Sequence, residues 1–175
     1  NTIVQAFAVQ SGLNDSTVAQ ADFIVTPGNI APTQTSNNPL TVDEGANGVI
    51  SAALLQFDDA DNAPAELNYS VTIVPAYGTL SAASFTQADI DSGLLSYTHD
   101  GSENFSDSFT FSVSDGSNTV TDQTFAITLT PVNDNVPTAV ADSLSVAEGG
   151  TQSVLDGGAT SVLANDSDAD LPGDA

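Results

Sequence analysis

Apolar and polar residues alternate along several short stretches, most clearly at residues 67–73, 109–113 and 125–129. Because successive side chains of a β-strand point to opposite faces, this period predicts strands with one buried and one solvated face. Asp-Gly-Ser-Asn at 115–118 separates two strands and predicts a hairpin turn. Several short strands with Gly, Pro and Asp turns favour an all-β fold class, an antiparallel β-sandwich. The inward-facing positions are predicted to be Leu67, Tyr69, Val71, Ile73, Phe109, Phe111, Val113, Phe125, Ile127 and Leu129.

The stretch FTQADIDSG, residues 85–93, departs from this strand pattern. Thr86 and Asp89 have the spacing of a capping box, and Gly93 suits the position after a helix C-terminus. We therefore expect a single helical turn among the strands.

The chain contains an internal repeat. Residues 7–29 (FAVQSGLNDSTVAQADFIVTPGN) align with residues 111–133 (FSVSDGSNTVTDQTFAITLTPVN), and residues 39–45 (PLTVDEG) align with residues 143–149 (SLSVAEG). The aligned pairs share a constant offset and include Phe, Gly, Pro and Glu positions. Chance similarity between acidic, Ser/Thr-rich segments does not explain this pattern, which is typical of tandem domains.

The repeat divides the chain into three parts. Residues 1–32 are predicted to hold the C-terminal strands of a preceding repeat plus a linker. Residues 33–137 form one complete repeat, and residues 138–175 begin a following one. Because the chain opens in a strand-like pattern, we expect it to be a window from a longer array.

The charge balance is one-sided, with 23 Asp and Glu, no Lys or Arg, and a single His. Nucleic acids and anionic membranes need basic patches, so neither is an expected partner. Cysteine is absent, which excludes disulfides and thiolate metal sites, and no apolar run is long enough to enter a membrane. Clustered carboxylates must therefore be solvated, screened by salt or compensated by bound cations.

The segment TPVNDNVPT, residues 130–138, is a candidate for such a cation site. Ca²⁺ prefers carboxylate, amide and main-chain oxygens, and Asn-Asp-Asn between two prolines supplies all three. The alternative is an Asx-type turn, which is common for Asn and Asp beside Pro. One linker cannot complete a calcium shell, so ligands would have to converge from two domains. The DSDAD segment at 166–170 lacks the glycine that an EF-hand loop requires.

Several segments resemble known families. Residues 85–120 closely resemble the repeat of chondroitin sulfate proteoglycan-type proteins, through Phe-Thr-Gln-Ala-Asp-Ile, His-Asp-Gly and Asp-Ser-Phe-Thr-Phe. SVLANDSDAD at 161–170 resembles cadherin-like repeats of large bacterial surface adhesins. VNDNVP at 132–137 and DADN at 59–62 are similar to the cadherin linker and Asp-x-Asp segment. The resemblance implies tandem cadherin-like (immunoglobulin-like) antiparallel β-sandwich repeats with Ca²⁺ at their junctions.

The cadherin resemblance implies ligands at two junctions. At the lower junction they are Glu44, Asn133, Asp134, Asn135, Asp168 and Asp170, with Asp166 as a further candidate. At the upper junction they are Asp59, Asp61 and Asp115, with Asn29 as the linker side chain. The upper linker, GNIAP, has no acidic residue, so we expect a weaker site there. The acidic tetrapeptide of cadherins has no visible match, and Asp100 and Glu103 are candidates for its place.

The predicted function is a structural or adhesive module of a secreted or cell-surface rod or fibre, rigidified by calcium between repeats. Its predicted partners are calcium ions, neighbouring repeats of the same chain, and other copies in a filament or a cell-surface glycan or protein. The alternative is a glycan- or protein-binding sandwich. Catalysis is not expected, because a triad needs a base placed by tertiary contacts, which the sequence does not show, and the family segment explains His99 without catalysis.

Overall fold

The computed structural model describes residues 2–6, 11–12, 19–23 and 28–170. The chain divides into two compact units, Asn1–Ile30 and Ala31–Ala175. In the first unit, β1 (Thr2–Ala6) and β2 (Ala19–Phe23) pair antiparallel. Much of the aligned segment 7–29 lies outside the described residues.

The described part of the second unit consists of short strands and one helical turn. The elements are β3 (Thr33–Asn37), β4 (Leu40–Asp43), β5 (Asn47–Val49), β6 (Leu55–Asp58), β7 (Asn68–Ile73), β8 (Gly78–Leu80), β9 (Ser84–Thr86), α1 (Gln87–Asp91), β10 (Ser96–His99), β11 (Ser106–Ser114) and β12 (Thr119–Thr130).

The described strands of the second unit form three sheets. The largest has the order β4-β12-β11-β7-β9, a second has the order β5-β10-β8, and β3 pairs with β6. Every pairing is antiparallel except that of β4 with β12, which is parallel. The turn at 115–118 joins β11 to β12 as predicted. This architecture confirms the all-β, sandwich-like fold class.

A single apolar core lies beneath these sheets. Side chains from the five-stranded sheet alternate between buried and exposed, as their sequence pattern predicts. Tyr69 stands at the centre, stacked on Phe85 with ring centroids 5.0 Å apart and on Phe111 at 5.7 Å. The other core residues are Leu40, Val42, Ile50, Leu55, Phe57, Leu67, Ile90, Leu95, Tyr97, Phe109, Val113, Phe125, Ile127 and Leu129.

The alternation fails at the end of β7. Tyr69 is fully buried, whereas Ile73 is 63% exposed. The pairing of β7 with β11 changes register here, because Val71 pairs with Phe111 and Ile73 pairs with the adjacent Thr110. The extra residue of β7 forms a bulge, which bends a strand and re-aims its side chains. The prediction that Ile73 faces inward is therefore wrong.

The predicted helical turn is present as α1. Thr86 is its N-cap, and the Thr86 hydroxyl accepts a hydrogen bond from the Asp89 N–H while the Asp89 carboxylate accepts from the Thr86 N–H. Gly93 follows the helix with φ of 70°, a left-handed conformation that costs glycine little. The capping box therefore fixes the boundary between β9 and α1.

Gln87, the first residue of α1, is a buried polar residue that links three elements. Its Oε1 accepts hydrogen bonds from the Phe57 N–H at 3.0 Å and from the Tyr69 hydroxyl. Its Nε2 donates to Asp91 Oδ1 at 2.9 Å. Burial raises the pKa of Tyr69, so its phenol remains a donor. Gln87 therefore satisfies two buried donors in the core.

Replacing Gln87 by Leu leaves the Phe57 N–H and the Tyr69 O–H without their acceptor. We expect the free energy of unfolding, measured in urea, to fall by about 2–5 kcal/mol. Adding Tyr69→Phe to Gln87→Leu removes one unpaired donor and should recover about 1–2 kcal/mol. Tyr69→Phe alone should cost about 1 kcal/mol, because one hydrogen bond is lost. Strictly additive costs in this cycle would contradict the assignment.

Candidate metal centre

The linker that follows β12 contacts Glu44, the residue directly after β4. The parallel pairing of β4 with β12 places Asp43 beside Thr130, so Glu44 lies at the start of the linker. The Glu44 N–H donates to the Thr130 carbonyl at 2.9 Å, and Glu44 Oε2 accepts from the Val132 N–H at 3.4 Å. The Glu44 side chain is buried. The strand register therefore holds a buried carboxylate against the linker.

Asn135 joins two carboxylates from distant parts of the sequence. Its Nδ2 donates to Glu103 Oε1 at 2.6 Å and to Asp170 Oδ1 at 2.8 Å, and its N–H donates to the same Asp170 oxygen at 3.1 Å. Glu103 lies in the loop between β10 and β11. One carboxylate oxygen from each of Glu103, Asp134 and Asp170 lies within 4.8 Å of the others. We call Glu44, Glu103, Asp134, Asn135 and Asp170 the junction cluster.

The backbone brings Asp170 to this cluster. Thr138 and Ser167 form an antiparallel bridge, with N–H to carbonyl distances of 2.7 and 3.0 Å. Asp166 Oδ1 accepts from the Val140 N–H at 2.8 Å, which extends the same connection. Asp168 Oδ1 accepts from the Asp170 N–H at 3.1 Å and shapes the turn. These contacts tie the DSDAD segment to the chain that follows the linker.

The electrostatic environment differs between Glu103 and Asp170, the two carboxylates of the junction cluster that accept from the Asn135 side chain. Burial raises the pKa of Glu103, and the nearby charges of Glu44 and Asp170 raise it further, against the hydrogen bond from Asn135. The hydrogen bond from the Asn135 side chain to Asp170 Oδ1 is the main cause of the lowered pKa of Asp170. Within the described ranges, Glu44 Oε1, Glu103 Oε2 and Asp170 Oδ2 are buried without a hydrogen-bond partner. Buried oxygens are normally paired, so these three suit a bound cation.

The structure brings together only part of the predicted lower junction. Asp134, Asn135 and Asp170 meet in the cluster, with Glu44 beside them. The carboxylates of Asp166 and Asp168 accept main-chain hydrogen bonds instead, and neither belongs to the group of three carboxylates. Asn133 is exposed. The roles of Asn133, Asp166 and Asp168 as ligands remain predictions.

Glu103 was only one of two candidates from the sequence, yet it lies at the centre of the cluster. The signal for it was an acidic residue in the loop before the penultimate strand. The other candidate, Asp100, accepts hydrogen bonds from the N–H and hydroxyl of Ser102. Sequence alone did not distinguish the two, because the choice depends on how the loop folds back to the linker.

Of the predicted upper ligands, Asp59 contacts Asp61 and lies near enough to Asp115 for their charges to interact. Asp59 Oδ1 accepts from the Asp61 N–H at 2.9 Å and the Asn62 N–H at 3.1 Å. The Asp61 bond is the main cause of the lowered pKa of Asp59, although the charge of Asp115 opposes it. Asp115 is buried, and its Oδ1 accepts from the Asn118 N–H at 2.6 Å. Asn29 is exposed and donates through Nδ2 to the Ile30 carbonyl.

His99 positions the loops that carry two of the carboxylates. It is buried, and its Nδ1 accepts from the Gly45 N–H at 3.1 Å and the Gly101 N–H at 3.3 Å. Gly45 follows Glu44, and Gly101 precedes Glu103 by two residues. Accepting at Nδ1 leaves the imidazole proton of the neutral ring at Nε2. His99 therefore acts as a brace between the two acidic loops.

Comparison with known proteins identifies the family. Residues 32–129, more than half of the chain, match the cadherin-like family. The chain therefore belongs to the cadherin-like family, which agrees with the sandwich-like fold.

The relatives are extracellular matrix proteins. The extracellular matrix organizing protein FRAS1 of Homo sapiens is 42% identical over 115 residues, which cover 61% of this chain and 3% of that protein. The extracellular matrix protein 3 of Lytechinus variegatus is 40% identical over 83 residues, covering 44% and 3%. Chondroitin sulfate proteoglycan 4 of Mus musculus is 34% identical over 108 residues, covering 57% and 5%. The chain thus spans only a small part of each relative.

These relatives confirm the resemblance to proteoglycan-type repeats and the extracellular location predicted from it. They support a structural module of the extracellular matrix. They are animal proteins, so they do not support the bacterial origin that the resemblance to bacterial adhesins implies. In the described part of the chain, no helix is long and apolar enough to cross a membrane.

The pKa shifts predict opposite effects of pH on stability. The pKa of Glu103 is raised above 4.5, so the folded protein holds this proton more tightly and loses stability as pH rises through that folded pKa. The pKa of Asp170 is lowered below 3.8, so its stabilisation is present above 3.8 and is lost as pH falls through its folded pKa.

Replacing Glu103 by Gln removes the cost of its charge. Without divalent cations, we expect a higher melting temperature at neutral pH, and a difference from wild type that disappears as pH falls below the usual value of 4.5. Glu148→Gln is the matched control, because Glu148 is exposed. An equal gain in both variants, or one that persists in acid, would contradict the shift.

Proposed function

We propose that this chain is a structural module of an extracellular array, in which Ca²⁺ binds the junction cluster and braces the complete repeat against the segment that follows it. The observation that carries the proposal is the convergence of Glu103, Asp134 and Asp170 from three separate segments. The chain has no Lys or Arg to neutralise them. A divalent cation compensates several carboxylates at once.

The donor set favours calcium over other divalent metals. The junction cluster offers carboxylate and amide oxygens, and the chain has no Cys for a soft metal. Three buried oxygens, on Glu44, Glu103 and Asp170, have no hydrogen-bond partner within the described ranges. Calcium takes six to eight oxygen ligands in flexible geometry, which suits ligands contributed by several loops.

Calcium would act on the joint through charge. Without it, the carboxylates of Glu44, Glu103, Asp134 and Asp170 repel one another and favour an open linker. With it, the same groups become ligands and hold the DSDAD segment against the loop between β10 and β11. Binding to the closed state alone also stabilises that state by mass action.

The segment after the linker supports a tandem arrangement. Leu144 and Val146 align with Leu40 and Val42 in the repeat. Leu40 and Val42 are buried, whereas Leu144 and Val146 are each 50% exposed. Leu144 and Val146 therefore do not pack into a core like the one that Leu40 and Val42 help to form. We propose that residues 138–175 belong to a following repeat of the same kind.

Asp59, Asp61 and Asp115 are proposed as part of a second calcium site. Asp59 Oδ2 is buried and has no hydrogen-bond partner within the described residues. Asp59 and Asp115 are close enough for their charges to interact. With no acidic residue in the linker at 28–32, this site should bind calcium more weakly than the junction cluster.

Calcium should raise the melting temperature and lengthen the particle. At a free concentration about 100 times the dissociation constant, binding adds about 2.7 kcal/mol, or roughly 5–15 °C for a domain of this size. Thermal unfolding and small-angle X-ray scattering in calcium, then in excess chelator, would measure both effects, with magnesium as the control. Unchanged melting temperature and maximum dimension would refute the proposal.

Substitutions should separate ligands from neighbours. Asp134→Asn combined with Asp170→Asn should abolish the calcium-induced rise in melting temperature, whereas Asp142→Asn, at an exposed position, should preserve it. Glu103→Gln should weaken calcium binding roughly 10- to 100-fold in calorimetric titration, although it stabilises the calcium-free protein. A Glu103→Gln variant that binds calcium like wild type would exclude Glu103 as a ligand.

A further inference from the structure

An apolar groove of about 260 Å³ lies at one edge of the sandwich and contains no residue of the junction cluster. It is formed by the end of β7, the loop to β8, β8 itself and the segment leading into β9. Val71, Val74, Pro75, Leu80 and Ala83 are among its lining residues. Apolar grooves on a polar protein surface mark binding sites for partners.

The groove runs beside an open strand edge. Among the described residues, β8 pairs only with β10. The Asp100 N–H donates to the Tyr77 carbonyl at 2.9 Å, which marks a hydrogen-bonded pair. Because such pairs alternate along an antiparallel ladder, the N–H and C=O groups of Gly78 and Leu80 point away from β10. These groups are available to an added strand.

The loop beside this edge is held in place. Asp107 accepts hydrogen bonds from the Ala76 N–H at 2.9 Å, the Tyr77 N–H at 3.0 Å and the Tyr97 hydroxyl at 2.9 Å. The loop presents Val74, which is 67% exposed, next to the groove. A partner would therefore meet a preorganised apolar surface and would lose little affinity to ordering it.

Charge decides which partner fits. The chain carries a formal net charge of -23, so a second copy would be repelled while a basic segment would be attracted. Lys or Arg residues that flank an added strand would be attracted by this net negative charge.

We propose that the groove and the open edge of β8 bind an extended apolar segment of another protein, flanked by Lys or Arg, as an added β-strand. Main-chain hydrogen bonds to Gly78 and Leu80 provide the pairing, and the groove receives alternate apolar side chains. Val71, where the bulge of β7 begins, and Val74, just after β7, both line the groove.

A defined peptide tests the proposal on the 175-residue chain. The probe is the blocked peptide Lys-Thr-Val-Thr-Val-Thr-Val-Lys, followed by amide chemical shifts in NMR titration. We expect the largest shifts at Gly78 and Leu80. N-methylation at alternate residues of the peptide removes main-chain donors and should weaken binding roughly tenfold. Replacing both Lys by Glu should also weaken it.

Matched variants locate the site. Val74→Asp should weaken peptide binding roughly tenfold, because it places a charge in the groove. Leu94→Asp, at a residue equally exposed but outside the groove, should bind like wild type. Equal loss in both variants, or full binding by the N-methylated peptide, overturns the proposal. So does a dimer in sedimentation equilibrium that Val74→Asp dissociates, because the occupant would then be a second copy.

Discussion

Repulsion between carboxylates shapes this protein, because the chain has no Lys or Arg to form a salt bridge with them. Hydrogen bonds from backbone and amide groups relieve the repulsion at several of the described acidic positions. Asp59, Asp89 and Asp170 all have lowered pKa values because N–H groups donate to them. Glu103 differs from these three, since burial and neighbouring charges outweigh its one amide bond and raise its pKa. Among the described residues, three of the buried carboxylate oxygens without a hydrogen-bond partner gather at the linker after β12, on Glu44, Glu103 and Asp170.

The sandwich produces this concentration through ordinary strand geometry. Parallel pairing of β4 with β12 brings Glu44 to the linker, and the Asn135 amide draws Glu103 and Asp170 together. His99 supports the arrangement, because its Nδ1 accepts hydrogen bonds from the N–H groups of Gly45 and Gly101. The joint is therefore built by the same register and turns that build the core, and a cation bound there would connect core stability to the geometry of the array.

Local patterns predicted much of the fold. Alternating apolar residues located β11 and β12, and the capping box of Thr86 and Asp89 located α1, because both signals depend on neighbours in sequence. Ile73 was predicted wrongly, because the bulge arises from pairing with a distant strand. The sequence did not single out Glu103 for the same reason, because only tertiary folding brings its loop to Asp134. The cadherin resemblance supplied the remaining acidic candidates, but it did not show which carboxylates turn toward one another.

If Ca²⁺ binds the acidic joint, a crystal structure of this chain grown in millimolar calcium should show the ion. We expect it at the junction cluster, with oxygens of Glu103, Asp134 and Asp170 at about 2.3–2.6 Å, the usual range for calcium. Anomalous scattering would identify the metal. The same side chains surrounding only water, at a calcium concentration that saturates known calcium-binding modules, would rule out a calcium site there.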